Sequence, residues 1–275
     1  LTTIDRGFSI LKQFGKKIFM TLGNHELDNT AMADDACDIL HRELNNLDDN
    51  LNIPSNYYSL TIKKNDNTDL IKILLLDTNL FEMNSCYDDL SRGAHENKML
   101  YWIKYILENY PDGKPLFIVG HYPLFFMKYE EFQENPTTLK LYNLLRSYPQ
   151  KKIIYLASDV HNHQHIEHEN ITMLISGTGG ADLDALVKPE EKEKKKKEKQ
   201  NICKKVNEIT STYNCDGRTY DIKRYISTTG YIVITYDGTT GHIFKEILGG
   251  QQGGNNYYKS KYIKYVTKCT SILKK

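Results

Sequence analysis

Ile18-Phe19-Met20-Thr21-Leu22-Gly23-Asn24-His25-Glu26 is the stretch around which the chain reads as organised. Four of its first five residues are apolar, the pattern of a short buried strand. The run stops at Gly23, which leaves room for close backbone approach. An amide, an imidazole and a carboxylate then follow in succession. That is where α/β sheets place ligands, outside the carboxyl ends of their strands. Asn24 offers a neutral oxygen to a hard or borderline metal, and His25 is a proton donor near neutral pH. Taken alone, the stretch reads equally well as an ordinary strand-to-loop turn.

The same design recurs downstream. Apolar runs at 71–76, 115–119, 152–157 and 171–175 each end in a polar or glycine cluster: Asp77-Thr78, Gly120-His121-Tyr122-Pro123, Ser158-Asp159-Val160-His161 and Ser176-Gly177. Helical spacing of apolar residues predicts helices over 3–16, 95–108 and 137–147, and 30–49 reads as a polar-faced helix. Residues 57–63 read as a strand leading into a turn at Asn65-Asp66-Asn67, and 230–236 with 242–247 as a hairpin about Asp237–Gly241. Alternating strands and helices predict an α/β architecture with covered sheets. If the strands are neighbours, Asn24 and His25, His121, and Asp159 with His161 converge on one rim.

Composition narrows the classes. The chain has 275 residues, 40% of them hydrophobic and 26% charged, enough apolar material for a sizeable core. A formal net charge of +1 gives no global basic field, so no nucleic-acid partner is expected. No apolar run approaches the ~20 residues of a membrane span. The five cysteines, Cys37, Cys86, Cys203, Cys215 and Cys269, are odd in number and include no CxxC. They suggest neither a disulfide framework nor a thiolate zinc site, although Cys203 and Cys215 are able to pair in an oxidising compartment. This usage points to the cytoplasm; a signal peptide ahead of Leu1 would instead give a secreted protein. Residues 188–199 are a low-complexity Lys and Glu run that begins a solvated insertion over about 188–225. Glu190, Glu191, Glu193 and Glu198 dilute its charge and weaken any reading as an anionic-ligand patch. Residues 249–275 read as a poorly anchored tail.

Gly-Asn-His-Glu at 23–26, Gly-His-Tyr-Pro at 120–123 and Asp-Val-His at 159–161 resemble, in order and spacing, the calcineurin-like metallophosphoesterases. Within them the chain looks closest to the purple (tartrate-resistant) acid phosphatases. The resemblance runs from about residue 10 to 182 and resumes at 228–247. It is supported by residues 54–60, Leu76-Asp77-Thr78, the Trp102 helix, and His161-Asn162-His163-Gln164 followed by Ser176-Gly177. It implies a two-sheet α/β sandwich flanked by helices, a four-layer αββα arrangement spanning 1–248. It also implies two metal ions, of Fe, Zn or Mn, at the strand ends. Asn24 and His121 would bind one ion and His161 the other. His25 would stay off the metals and protonate the leaving alkoxide or stabilise charge on the phosphoryl oxygens. The implied activity is hydrolysis of a phosphorylated substrate by metal-activated water. The alternative is a catalytically inactive protein of the same fold acting as a binding module.

Two departures from the family pattern stand out. The family's Gly-His-x-His strand end reads Ser158-Asp159-Val160-His161 here, so Asp159 replaces the first histidine if Asn162 and Gln164 keep their register. A carboxylate can bind the same metals. The alternative register pairs His161 with His163. His165 and His168 read as surface histidines, or else as an accessory metal site. Secondly, the family's Asp-x-His and Gly-Asp motifs precede Gly-Asn-His-Glu, whereas the 22 residues before Gly23 hold Asp5 as their one carboxylate. The domain is therefore expected to be N-terminally incomplete or to have lost the front of its site, and not to assemble two metals as it stands.

Overall fold

The structure is a computed structural model; it describes residues 18–24, 51–82, 89–177, 183–186, 204–207, 211–227, 230–236 and 242–248. The described residues open with two short strands, β1 (Ile18–Phe19) and β2 (Leu51–Asn52), paired in parallel. An antiparallel hairpin follows, β3 (Tyr57–Lys63) and β4 (Asp69–Leu76). Its turn is closed by Asp66, whose carboxylate accepts the Thr68 N–H at 2.9 Å, and by Asn67 at φ 64°, a conformation asparagine tolerates. A single 3-10 turn, Thr78–Phe81, leaves β4. Next come α1 (Asp89–Asn109), β5 (Pro115–Val119), β6 (Phe125–Lys128), β7 (Glu131–Glu134), α2 (Leu139–Arg146), β8 (Lys152–Ala157), β9 (His163–His168) and β10 (Ile171–Ser176). The remaining strands are β11 (Lys204–Asn207), β12 (Thr212–Cys215), β13 (Arg218–Ile226), β14 (Gly230–Tyr236) and β15 (His242–Leu248).

Among the described residues, nine strands make one mixed sheet in the order β11-β12-β13-β9-β10-β8-β5-β4-β3. Its centre, β10, β8, β5 and β4, is parallel throughout. Parallel strands are covered on both faces, which is why each of these was legible as an apolar run. Successive residues point to opposite faces. Leu116 and Ile118 of β5 join Ile153 and Tyr155 of β8 in a core with Met99, Ile103 and Leu107 of α1 and Leu141, Tyr142 and Leu145 of α2. Phe117, Ile154 and Leu174 join Ile71 on the other face, where Ile232 and Ile234 of β14 pack. The architecture is thus a mixed α/β fold with helices on one face of a large sheet and the β14–β15 hairpin on the other. No helix among the described residues is long and apolar enough to cross a membrane.

The structure departs from the sequence reading in several places. The opening stretch is not a buried strand: Ile18 is half-buried, Phe19 is 39% exposed, and full burial is reached only at Leu22. Side chains hold it instead. The Tyr58 hydroxyl accepts the Met20 N–H at 3.0 Å and donates to the Met20 carbonyl at 2.6 Å, while the Thr21 hydroxyl donates to the Leu76 carbonyl. Residues 204–226, within the segment expected as an insertion, contain three strands of the main sheet, with β13 against β9. Residues 163–168, to which the sequence reading assigns no element, are strand β9. His168 is not a surface residue but 2% exposed, and the two-residue period sets His165 and His168 on opposite faces, so they do not share an ion. Cys215 is disulfide-bonded, so of the two readings of the cysteines the paired one applies to it. The predicted helices at 3–16 and 30–49, the Lys and Glu run, and the tail lie outside the described residues.

His168 shows how a polar residue is kept in this core. Its ring stacks on Tyr220 with centroids 4.1 Å apart, and Nδ1 donates to the Thr219 carbonyl at 2.6 Å. The Tyr220 hydroxyl donates to Glu134 and lies 2.7 Å from the Tyr142 hydroxyl; Arg218 completes the network with a 2.8 Å bond to Glu134. Burial, helped by Arg146 and Arg218, pushes the His168 pKa below the usual imidazole value, against the opposing pull of the Thr219 bond and Glu169. Burial, with Arg224, does the same to His163. A depressed histidine pKa means that the unfolded chain takes up the proton first as pH falls. Stability is therefore level above a pH of about 6.5, the ordinary imidazole value, and declines below it. Denaturant titrations at pH 7 and pH 5 should show a lower midpoint at pH 5, and His168→Phe should remove part of that difference. An undiminished difference in the variant would rule His168 out as a source.

Candidate functional site

Because β4, β5 and β8 run parallel side by side, their carboxyl ends share one rim. At the end of β5, the Gly120 N–H donates to the Leu156 carbonyl at 3.0 Å. A Cβ on Gly120 would lie 2.4 Å from the Tyr155 hydroxyl and 2.7 Å from Thr78 Cγ2, so the chain reaches His121 only through a residue with no side chain. The His121 carbonyl accepts the N–H groups of Ser158 and Asp159 at 3.1 and 3.0 Å, which zips the end of β5 to the loop after β8. A second glycine, Gly177 after β10, passes against that loop. A Cβ there would lie 2.1 Å from the Val160 carbonyl oxygen and 2.2 Å from that of Ser158.

Three side chains from distant parts of the sequence meet at this rim. His121 Nε2 lies 2.9 Å from Asn24 Oδ1, a contact spanning 97 residues, and 3.4 Å from Asp159 Oδ1. His121 Nδ1 is 3.3 Å from the Ser158 hydroxyl. Both oxygens facing Nε2 are acceptors, so in the protein alone the proton on Nε2 stands between them. The side chains of His121 and Asp159 are 15% and 32% exposed, open enough for an ion to arrive from solvent. Tyr122 lies beside them, its ring 5.0 Å from that of His121 and its hydroxyl donating to Glu82. Burial first, then the bond to Glu82 and the nearby carboxylates of Asp159 and Asp77, push the Tyr122 pKa upward.

Asn24 is brought to the rim by residues that the sequence reading did not assign. Asp77, buried at the end of β4, accepts the backbone N–H of Asn79 at 3.0 Å and its side-chain amide at 2.8 Å. The oriented Asn79 amide then donates to the carbonyls of Leu22 and Gly23, each at 3.3 Å. Asp77 thus holds the loop that carries Asn24 through Asn79. The signal was present in the polar run Asp77-Thr78-Asn79 straight after an apolar strand.

The other sequence-derived candidates fall as follows. Of the two registers weighed for the fourth motif, the carboxylate of the Asp159 and His161 register is the one that touches His121. His161 follows two residues later on the same loop, where its N–H donates to the Asp184 carboxylate at 2.8 Å and its carbonyl accepts the Asp184 N–H at 3.0 Å. His163, the partner in the alternative register, is 1% exposed at the start of β9, paired with Ser176 and Ile226. His25 lies outside the described residues.

The donor set bears on the metals that the resemblance implies. One imidazole nitrogen and two oxygens, from an amide and a carboxylate, converge within 3.4 Å, a mixture that suits one borderline ion. Among the described residues there is no group of three or more His, Cys, Asp or Glu side chains that could hold a metal. Because Gly177 sets the position of the Asp159 loop, Gly177→Ala should cost about 1–3 kcal/mol of stability through overpacking. In NMR spectra it should also shift the His121 ring resonances. A variant with unchanged melting temperature and His121 signals would contradict the role given to Gly177.

No family model matches this chain, and no curated protein matches it. Among solved structures it is similar to one described as "GAP50 the anchor in the inner membrane complex of Plasmodium". The two are 14% identical, with a TM-score of 0.36 over 73% of this chain. The chain spans 56% of the length of that structure. The likeness is too slight to assign a fold or a function.

Proposed function

We propose that Asn24, His121 and Asp159 are the cation-holding part of a phosphoester hydrolase site, in a domain of the four-layer αββα kind. The observation that carries this reading is the meeting of Asn24 Oδ1 and Asp159 Oδ1 on one nitrogen, His121 Nε2. A partly exposed imidazole flanked by two acceptor oxygens has one proton to share between them, and a cation in its place would engage all three. Asn24 would supply a neutral oxygen, Asp159 a negative one, and His121 its Nε2 lone pair; His161, on the same loop as Asp159, would serve a second ion. A metal bound here supplies Lewis acidity and a water of lowered pKa. His25, adjacent to Asn24 in sequence, would donate the proton to the leaving alkoxide. The disulfide at Cys215 supports an oxidising compartment over the cytoplasm.

A second reading is a protein that binds a cation or a phosphate without turnover. It is favoured by one observation: His121 and Asp159 are joined by no third His, Cys, Asp or Glu ligand among the described residues. Hydrolysis of an aryl phosphate by the full-length protein, loaded in turn with Fe, Zn and Mn, separates the two. The hydrolase reading expects metal-dependent turnover, with kcat lowered about 100-fold or more by His25→Ala, the scale of a lost general acid. Binding of zinc or phosphate with no turnover under any metal would overturn it in favour of the binding module.

A further inference from the structure

We infer that Thr78 is the positioning residue of His121, an inference that rests on the cation-site reading above. Thr78 is fully buried at the first position after Asp77, where β4 gives way to the 3-10 turn. Its hydroxyl oxygen accepts two consecutive backbone N–H groups, that of His121 at 3.1 Å and that of Tyr122 at 3.0 Å. A threonine oxygen has two lone pairs, and both are occupied by the loop that bears the imidazole. The same side chain packs its methyl group against Gly120, close enough that a Cβ there would meet it at 2.7 Å. Thr78 therefore holds three successive residues, one by contact and two by hydrogen bonds.

The clamp is completed from the opposite side. The His121 carbonyl takes the N–H groups of Ser158 and Asp159, and the Tyr155 hydroxyl donates to the Tyr122 carbonyl at 3.0 Å. Donors and acceptors of the His121–Tyr122 segment are thus claimed by β4 on one flank and β8 on the other. That fixes the backbone from which the imidazole projects, and its Nε2 lies within reach of Asn24 and Asp159. Thr78 touches none of those side-chain donors; it acts by fixing the backbone that carries one of them. The β4 end thus serves both loops, Asn24 through Asp77 and Asn79, and His121 through Thr78.

Two substitutions in the full chain separate the hydroxyl from the shape. Thr78→Val keeps the branched outline and loses the acceptor; Thr78→Ser keeps the acceptor and loses the methyl. Amide exchange at His121 and Tyr122, followed by NMR, should quicken about ten-fold or more in the valine variant. Zinc affinity, read from the His121 ring signals, should fall about ten-fold or more, as for other residues that orient a ligand. The serine variant should restore both. Should the valine variant fail to fold, Thr78→Ala is compared with Thr78→Ser on the same two readouts. Exchange rates and zinc affinity equal to the parent's in the valine variant would overturn the inference. A parent chain that binds no zinc would sink the cation reading alone; the amide exchange rates would then decide for or against Thr78 by themselves.

Discussion

The 2.9 Å contact between His121 Nε2 and Asn24 Oδ1 is what turns separate strand ends into a site. It joins the first described loop of the chain to one 97 residues away, and Asp159 completes it at 3.4 Å from a third. None of the three would meet without the parallel order of β4, β5 and β8, which delivers their carboxyl ends to the same rim. The site is therefore a property of topology first and of residue chemistry second.

What keeps the three groups in place is a set of buried polar contacts with few alternatives. Gly120 lets the Tyr155 hydroxyl and the Thr78 methyl approach, and Gly177 the Val160 and Ser158 carbonyls, at distances that any Cβ would push apart. Asp77, Asn79 and Thr78 satisfy backbone groups of the two loops from a single point at the end of β4. Gln164 plays the same part for the β6–β7 hairpin. Its amide oxygen takes the Met127 N–H at 2.6 Å, and its nitrogen donates to the Met127 carbonyl and to Asn162 Oδ1. A buried polar group without such partners costs about 1–3 kcal/mol, so these contacts favour one arrangement strongly over its neighbours.

How much of this could be read from the sequence depended on where each residue's partners lie. β5, Pro115–Val119, is apolar at every position because both its faces are covered, and it was legible at once. The same holds for β8 and β10, and for the polar residues placed at their ends. β9, His163–His168, was not legible: its core-facing positions include Gln164 and His168, which hydrogen-bond to Met127 and Thr219 in other parts of the chain. The β6–β7 hairpin was missed because its turn uses Tyr129 and Glu130 at φ 53° and 62°, with none of the asparagine or glycine that marks such turns. The Tyr213 hydroxyl holds that turn by donating to the Glu130 carbonyl at 3.1 Å, again from a distant segment. Asn24, His121 and Asp159 stood out as strand-end residues; their meeting was decided by packing.

Anomalous scattering from crystals of the full chain grown with zinc tests the central claim most directly. The cation-site reading predicts a peak bonded to Asn24 Oδ1, His121 Nε2 and Asp159 at once, at about 2.0–2.2 Å from each. An empty rim in zinc-saturated crystals, or a peak bound elsewhere while His121 keeps its contacts to Asn24 and Asp159, would contradict it.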